Sequence, residues 1–404
     1  MALAALWPAA APAGDSGMIG DEDTLTGETI PRERRRLSDL GLRVRAELTG
    51  YSQGLLSGSG KTGFDSAGRF DTLLDADTER MGMWSGGGLH THIEYRFGDL
   101  GSHRGSALLP SNAGLTLPLL GEGELVATSL YLSQRIGPST VLLVGKINPL
   151  DLIARDPFFG GWGVHGFMNL AFVAPPAGVM PAVMMGAILN HAIGPWRLSA
   201  IVADPDDKTS TYSFRDLFSN GVDVSLTAVW NGAVHGRSTY AGLTGAYKTQ
   251  DAFDPTDFGL PADLSMDTAR RSAHNVTVQA GHLLLESAAT PGKGLGIYAR
   301  AGYGGGESNP IQASFAGGFA GHGIVPHRPR DSFGIGYYRY TFGATLDAAL
   351  ARRLAWDDEQ GIEVFYSFPV ARWLRVTLDL QVIDPAAAAA QTSVVGGLRA
   401  SVLF

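Results

Sequence analysis

Two histidines and a glutamate lie two residues apart on one short stretch of the sequence. In His90-Thr91-His92-Ile93-Glu94 the two imidazoles and the carboxylate share parity, so an extended backbone would point all three to one side. Imidazole and carboxylate groups are ligands that zinc uses in proteins. A metal site is one interpretation of this stretch. Polar side chains lining a wet interior explain the spacing equally well, and we predict no metal and no cofactor.

A second stretch, Gly58-Ser59-Gly60-Lys61-Thr62, is similar to the end of a phosphate-binding loop. That motif requires a glycine at position 55, where this chain has Leu55, and a buried strand before the loop. No Ser, His and Asp order typical of nucleophilic catalysis stands out. Four carboxylates share parity and predict an acidic stripe rather than a catalytic pair: Asp71, Asp75, Asp77 and Glu79. The sequence therefore predicts neither a nucleotide site nor an enzyme.

The elements that would position these side chains follow a period of two. Between residues 40 and 49, the apolar side chains of Leu40, Leu42, Val44, Ala46 and Leu48 alternate with Gly41, Arg43, Arg45, Glu47 and Thr49. The stretches 89–97, 222–230 and 374–382 repeat the pattern. Because successive side chains of a strand point to opposite faces, each stretch has one apolar face and one polar face.

Sixteen strands of this kind can be placed along the chain. They cover approximately 40–51, 67–79, 87–97, 123–135, 139–147, 183–193, 195–204, 220–231, 236–248, 274–287, 293–304, 310–320, 331–343, 360–369, 372–383 and 391–404. Most run to roughly 10 to 13 residues, which suits a tilted strand crossing a bilayer, whereas soluble strands average about five or six. The sequence thus predicts an all-β fold, a sixteen-stranded antiparallel transmembrane β-barrel with both termini in the periplasm.

The connections between these strands alternate in length, as in outer-membrane barrels. Short turns are predicted at 85–87, 137–138, 194–195, 231–232, 291–292 and 369, and long loops at 52–66, 98–122, 148–182, 205–219, 249–273 and 344–359. The segments 321–330 and 305–309 depart from this alternation. The short turns are expected on the periplasmic side and the long loops outside.

Composition narrows the alternatives. Charged residues make up 17% of the chain, below the roughly 25% of soluble domains, and no basic tract suggests a nucleic-acid partner. The chain has no cysteine, which excludes disulfides. Its best apolar run, 170–189, is interrupted by three prolines, so a transmembrane helix is not predicted. A membrane protein without such a helix must close its strands into a barrel.

The two ends of the chain carry their own signals. Residues 1–13 are apolar and end in Ala11-Pro12-Ala13, which predicts the remnant of a signal peptide. We interpret 14–39 as a polar periplasmic lead-in and 40–404 as the barrel. Phe404 has the parity of the lipid-facing residues of the last strand, and we expect it to contact the barrel-assembly machinery.

The connection after the fifth strand is too apolar to extend into water. It holds Phe158, Phe159 and Trp162 within 35 residues, 148–182. We predict that this third outer loop folds inward and that Arg155, Asp156, Phe158 and Trp162 line the narrowest point. Aromatic faces can bind sugar rings, and Arg and carboxylate groups can bind hydroxyls. A surface loop that packs on its neighbours is the alternative.

Three stretches carry a resemblance to a known family. They are Leu143 to Phe172, with Gly145-Lys146 and Phe167-Met168-Asn169; Gly294 to Gly336, with Arg328-Pro329-Arg330-Asp331; and Glu363 to Pro385, with Trp373-Leu374 and Asp379-Leu380-Gln381. Over about residues 40–404 the chain resembles the carbohydrate-selective porin family of the OprB type. It departs from the family pattern after Pro385, where five alanines replace the usual Pro-Gly.

The resemblance implies a porin of the bacterial outer membrane that passes small sugars down their gradient into the periplasm. Alternation alone assigns the polar channel-lining residues on strands: Arg43, Arg45, Glu47, Glu94, Arg96, Arg300, Glu363, Asp379 and Gln381. The expected partners are small sugars, outer-membrane lipid and lipopolysaccharide, with the barrel as a monomer or a homotrimer. A barrel enzyme and a plugged structural or adhesive barrel remain the alternative functions.

Overall fold

The computed structural model describes residues 36–100, 106–118, 123–153, 156–250, 271–287, 292–306, 309–343 and 355–404. The signal-peptide prediction and most of the predicted lead-in therefore lie outside the described residues, as does Arg155. Short helices within the described residues include α1 (Ala113–Thr116), α2 (Pro149–Ile153) and α3 (Leu170–Val173). Within the described part of the chain, no helix has the length and apolar character needed to span a membrane.

Sixteen antiparallel strands form one closed barrel in which each strand pairs with its sequence neighbours and β1 pairs with β16. They are β1 (Leu42–Ser57), β2 (Gly63–Asp77), β3 (Gly87–Asp99), β4 (Leu125–Ile136), β5 (Thr140–Ile147), β6 (Met184–Ile193), β7 (Trp196–Ala203), β8 (Asp223–Val234), β9 (Arg237–Gln250), β10 (Arg271–Glu286), β11 (Gly294–Gly306), β12 (Ile311–His322), β13 (Ser332–Phe342), β14 (Glu359–Pro369), β15 (Leu374–Asp384) and β16 (Ser393–Leu403). The predicted sixteen-stranded antiparallel barrel is confirmed, with a strand at each of the sixteen predicted places.

The two faces of the sheet differ as the alternation predicts. On β15, Leu378, Leu380 and Val382 are exposed, whereas Thr377, Asp379 and Gln381 are buried. The exposed face is apolar around the barrel and the buried face is largely polar, which is the reverse of a soluble barrel. The apolar face is the surface that meets lipid, and the polar face lines the interior.

Because the strand number is even, β1 begins and β16 ends at the same end of the barrel, called here the termini end. The connections at the opposite end, called the loop end, are 58–62, 100–124, 148–183, 204–222, 251–270, 307–310, 343–358 and 385–392, and those at the termini end are 78–86, 137–139, 194–195, 235–236, 287–293, 323–331 and 370–373. The nine-residue 323–331 connection contains a small bridge between Val325 and Arg328, and Arg328 forms an ion pair with Asp331.

The first predicted long loop, 52–66, is wrong. β1 continues to Ser57 and β2 begins at Gly63, so the connection is only 58–62. Gly54 pairs with Phe64, and a Cβ on Gly54 would lie 1.8 Å from the Gly63 carbonyl oxygen. Small polar residues that look like a loop in sequence thus pair because the backbones can approach closely. The phosphate-loop-like stretch is this turn between two antiparallel strands.

Candidate functional site: the inner face of the barrel

A ladder of buried charges covers the inner face of β1, β2 and β3, and we call it the charged wall. Its members are Arg45 and Glu47 on β1, Arg69 and Asp71 on β2, and His92, Glu94 and Arg96 on β3, all buried. The strand register places Glu47, Asp71 and Glu94 directly opposite one another in a row across the three strands. Like charges in such a row repel, so each carboxylate requires a cationic partner.

Arginines two residues away supply those partners. Arg69 Nη2 lies 2.5 Å from Asp71 Oδ1 and 2.9 Å from Glu94 Oε2, so one guanidinium joins two strands. Arg96 donates to Glu94 at 2.8 Å, and Arg45 donates to Glu47 at 2.7 Å. Arg69 also donates to the carbonyl oxygen of Gly114, just after the start of α1. The arginines beside the row of carboxylates therefore offset the repulsion between them.

The two histidines of the sequence motif both face inward but have different partners. His90 Nδ1 lies 2.6 Å from Asp75 Oδ1 and its Nε2 lies 2.8 Å from Ser133 Oγ. His92 Nε2 lies 2.9 Å from Asp71 Oδ1, and its Nδ1 lies 2.8 Å from Asp151 Oδ1. Asp151 belongs to α2, so this imidazole connects the wall to the long connection after β5.

The possible metal ligands that come together in the structure are not the three residues of the sequence motif. Among the described residues, one ligand atom each from Asp71, His92 and Glu94 lies within 4.8 Å of the others. Both carboxylates, however, already bind Arg69. The Arg69 guanidinium therefore already supplies the positive charge that a metal ion would supply to these carboxylates. His90 is not part of this cluster. The geometry favours an ion-pair network over a metal centre.

A second part of the interior, on β11 to β14, is aromatic, and we call it the aromatic wall. It consists of Tyr298 on β11, Tyr338 and Tyr340 on β13, and Phe365 on β14, all buried. Tyr338 and Tyr340 stack with a ring-centroid distance of 6.2 Å. Arg300, also on β11, lies over the ring of Phe159 at 4.2 Å. The aromatic wall therefore presents mainly aromatic rings to the interior, whereas the charged wall presents charged side chains.

The β5–β6 segment, residues 148–183, supplies further rings to the aromatic wall. Phe158 stacks on Tyr298 with a centroid distance of 5.3 Å. Phe167 stacks on Phe172 at 4.4 Å and meets Phe365 edge to face at 4.9 Å. Aromatic pairs in these geometries contribute about 0.5–1.5 kcal/mol each beyond their buried area.

Polar side chains of the strands also bind the backbone of this segment. Glu363 accepts hydrogen bonds from the backbone nitrogens of Met168 and Asn169, at 2.5 and 2.9 Å. Arg300 donates to the carbonyl oxygens of Ala171 and Phe172, and Arg399 donates to those of Gly163 and Gly166. The segment thus contacts inward-facing residues on β11, β14 and β16.

Asp156 is the buried carboxyl group of the segment. Its Oδ1 accepts from the backbone nitrogens of Phe158 and Phe159, at 2.8 and 2.6 Å, and Tyr240 Oη donates to its Oδ2 at 3.2 Å. Burial raises the pKa of this carboxyl above its ordinary value, although the hydrogen bonds act in the opposite direction. On the other side of the segment, the Trp162 ring lies 5.5 Å from the His92 ring.

The structure places the residues selected by alternation as follows. Arg45, Glu47, Glu94, Arg96, Arg300, Glu363, Asp379 and Gln381 are buried on the inner face, together with Asp156, Phe158 and Trp162 of the segment. Arg43 is half-buried, 3.8 Å from Asp75. The charged residues fall into two groups, one on β1–β3 and one on β11–β15, rather than one ring.

Sequence reasoning missed several members of this interior. Arg69 has the parity of Asp71 on the same strand, so alternation in β2 could have found it. The tyrosines of the aromatic wall also have inward parity, but aromatic residues suit either face of a membrane strand. Asp151 lies in a connection, and no spacing in the sequence relates it to His92.

The family model described as "Carbohydrate-selective porin, OprB family" matches residues 61–404. The chain belongs to this family. Comparison with curated protein sequences returns no match.

Solved porin structures share the fold of this porin. It is similar to the high-pH structure of Pseudomonas putida OprB, with a TM-score of 0.75, 19% identity and coverage of 92% of this chain and 96% of that chain. The low-pH structure of the same protein gives a TM-score of 0.59 at 16% identity, covering 92% and 95%. In vitro folded OmpT of Vibrio cholerae, in its trimer form, gives 0.52 at 12% identity, covering 90% and 99%. The fold and the family indicate an outer-membrane channel rather than an enzyme.

Proposed function

We propose that this porin lets small sugars diffuse passively across the outer membrane into the periplasm and catalyses no reaction. The observation that carries the proposal is the pairing of a charged wall and an aromatic wall inside one closed barrel. Sugar hydroxyls can both donate and accept hydrogen bonds, and sugar rings present C–H faces that pack on aromatic rings. An interior with both kinds of wall suits neutral polyols better than it suits ions of one sign.

We further propose that the β5–β6 segment lies across the lumen and sets its narrowest point. Support comes from its contacts with inward-facing residues on opposite sides of the barrel: His92 on β3 with Asp151, and Arg300 on β11, eight strands away, with the carbonyl oxygens of Ala171 and Phe172. Asp156, Phe158 and Trp162 are the residues we expect to tune selectivity, with Arg155 as a fourth that lies outside the described residues. Weak stacking and a few hydrogen bonds suit rapid passage, because a tightly held sugar would leave slowly.

Liposome swelling separates this function from its alternatives. Vesicles that contain the purified barrel should swell in isotonic monosaccharide, more slowly as the sugar becomes larger. A plugged structural or adhesive barrel would leave the vesicles unchanged, and a barrel enzyme would release lipid or sugar products instead. Heat-dependent mobility in SDS gels is the control for correct folding of each preparation.

Single-channel recording tests the constriction. Deletion of 152–163 should raise the single-channel conductance and abolish the block of current by added sugar. A matched deletion of 59–61, in the β1–β2 turn, should leave both unchanged. Unchanged conductance after removal of 152–163 would contradict a constricting role for the segment.

Assembly is the remaining part of the proposal. Phe404 is about half exposed and its backbone nitrogen donates to the Ala46 carbonyl oxygen at 2.9 Å, which leaves its ring accessible to the barrel-assembly machinery. We expect Phe404→Ala to lower the amount of folded barrel in the outer membrane several-fold. Cross-linking of the purified protein would distinguish the monomer from the homotrimer.

A further inference from the structure

The barrel wall is low on one side. β5, β6 and β7 have 8, 10 and 8 residues, whereas every other strand has at least 11. With a rise of about 3.3 Å per residue and a tilt of about 45°, an eight-residue strand spans about 19 Å, less than the ~25 Å apolar band of outer-membrane barrels. The short strands therefore leave part of the membrane thickness uncovered.

The low side also leaves a strand edge without its neighbour. β4 begins at Leu125, but its pairing with β5 starts only at Leu130 opposite Lys146. An unpaired backbone N–H in the apolar part of a membrane costs several kcal/mol. Ala127 avoids this cost because its backbone nitrogen donates to Tyr212 Oη at 2.8 Å. Tyr212 comes from the connection between β7 and β8, so that connection reaches back across β5 and β6.

Lys146 establishes which face of the barrel this connection covers. Lys146 is opposite Leu130 on β4, and two residues earlier the pair Leu132 and Val144 is exposed to lipid. Paired residues of a sheet share a face, so Lys146 points outward. It is nevertheless only 3% exposed: its Nζ donates to the Thr209 carbonyl oxygen at 2.6 Å and lies 4.2 Å from the centre of the Tyr212 ring.

The connection 204–222, called here the β7–β8 segment, is held firmly at its base. The backbone nitrogens of Asp204 and Lys208 donate to the carbonyl oxygens of Met185 and Val183, which extends the pairing with β6. Asp204 accepts from the backbone nitrogen of Phe218 at 2.7 Å and forms an ion pair with Lys208 at 3.0 Å. The segment is therefore an ordered addition to the outer surface.

Three aromatic side chains project from this ordered segment. Tyr212, Phe214 and Phe218 are 52%, 71% and 43% exposed. Aromatic residues concentrate where membrane meets water, and polar residues separate these rings, as expected where lipid headgroups are near. The patch is continuous with the lipid-facing surface, because Tyr212 contacts β4 beside the exposed Leu125 and Leu130.

We propose that the β7–β8 segment rests in the lipid interface at the loop end of the barrel and completes the low wall there. Tyr212, Phe214 and Phe218 contact the lipid of that leaflet, while Tyr212 satisfies the free edge of β4 and shields Lys146. The segment is thus a lipid-binding surface outside the barrel, independent of the passage of sugar through its interior.

Site-directed spin labelling tests this placement, and the absence of cysteine in the chain makes single-cysteine variants specific. Phe214→Cys and Phe218→Cys would be labelled in the full barrel reconstituted in phosphatidylcholine vesicles. Leu226→Cys, 69% exposed on β8, marks the lipid, and Lys61→Cys in the exposed β1–β2 turn marks water. Collision of each label with oxygen and with a soluble nickel chelate gives its depth.

The expected result is an oxygen-to-nickel collision ratio for both segment labels that lies nearer that of Leu226→Cys than that of Lys61→Cys. A ratio equal to that of Lys61→Cys would overturn the proposal by placing the segment in water. Labels that neither reagent reaches, with spin–spin broadening between barrels, would also overturn it and would assign the patch to a second copy of the chain. Two label positions guard against one variant failing to fold.

Discussion

The charged wall and the aromatic wall of this porin both consist of inward-facing strand side chains, but the side chains of the two walls have different kinds of partner. On the charged wall the buried groups satisfy one another, with Arg69 joining Asp71 and Glu94 across two strands. On the aromatic wall the strand side chains serve the β5–β6 segment, through ring contacts and through Glu363 and Arg300, which bind its backbone. The comparison indicates that the charged wall mainly joins neighbouring strands, with His92 and Glu47 adding contacts to Asp151 and His165 of the segment, whereas the aromatic wall mainly holds the segment in place.

Removing the central cation of the charged wall should have the largest effect. In Arg69→Met, two buried carboxylates lose a shared partner, and breaking a buried ion pair from one side costs about 3–5 kcal/mol. We expect the free energy of unfolding to fall by that amount in guanidinium titrations of the barrel in detergent. Arg43→Met is the matched control, because Arg43 is half-buried and should cost about 1 kcal/mol or less. Equal losses of unfolding free energy in Arg69→Met and Arg43→Met would show that the buried ion pairs of Arg69 contribute no more to stability than the half-buried Arg43 does.

A change to the aromatic wall should be smaller in stability but visible in the channel. Phe172 has three ring neighbours, Phe158, Phe167 and Tyr338, and Phe172→Leu should destabilise the barrel by about 2 kcal/mol through lost volume and ring contacts. It should also loosen the β5–β6 segment and increase open-channel current noise. Phe315→Leu, on the lipid-facing side, is the control. Noise that stays at the wild-type level would argue against this wall as the anchor.

The pH dependence of stability offers a finer test of the segment. Asp156 has a raised pKa because it is buried, so the folded state binds its proton more tightly than the unfolded state does. Stability from this group is therefore present at low pH and is lost as the pH rises from the ordinary carboxyl value through the raised one. Asp156→Asn should flatten this part of the profile, because the amide does not titrate. A mutant profile that keeps the wild-type slope would assign the dependence to another group.

Combining changes on the two walls gives the smallest expected effect. Among the described residues, the ion-pair partners of Arg69 differ from the ring partners of Phe172, and independent sites add to within about 0.5 kcal/mol. The double variant Arg69→Met with Phe172→Leu should therefore lose the sum of the two single losses. A coupling above 1 kcal/mol would show that the walls act as one unit, and deletion of the β5–β6 segment would then test whether that segment links them.

Sequence alternation was sufficient for the architecture, because the side-chain period of a strand in a membrane barrel is dictated by lipid on one face and water on the other. It placed all sixteen strands, and the residues it selected on strands, such as Glu94 and Gln381, have buried side chains. It failed at 52–66, where glycine and small polar residues form paired strand. In that stretch the close approach of two backbones, which composition does not record, decides the outcome.

Only the tertiary structure decided which charges meet and where the connections lie. The contact of Arg69 with Glu94 depends on the register between β2 and β3, and that of His92 with Asp151 joins residues 59 positions apart. The β5–β6 and β7–β8 segments are both rich in aromatic residues, yet the first contacts inward-facing side chains and the second covers the outward-facing Lys146. Local sequence cannot predict on which side of the barrel wall each segment lies, because aromatic rings are stable against either a protein interior or lipid. The lengths of the surrounding strands decide the side.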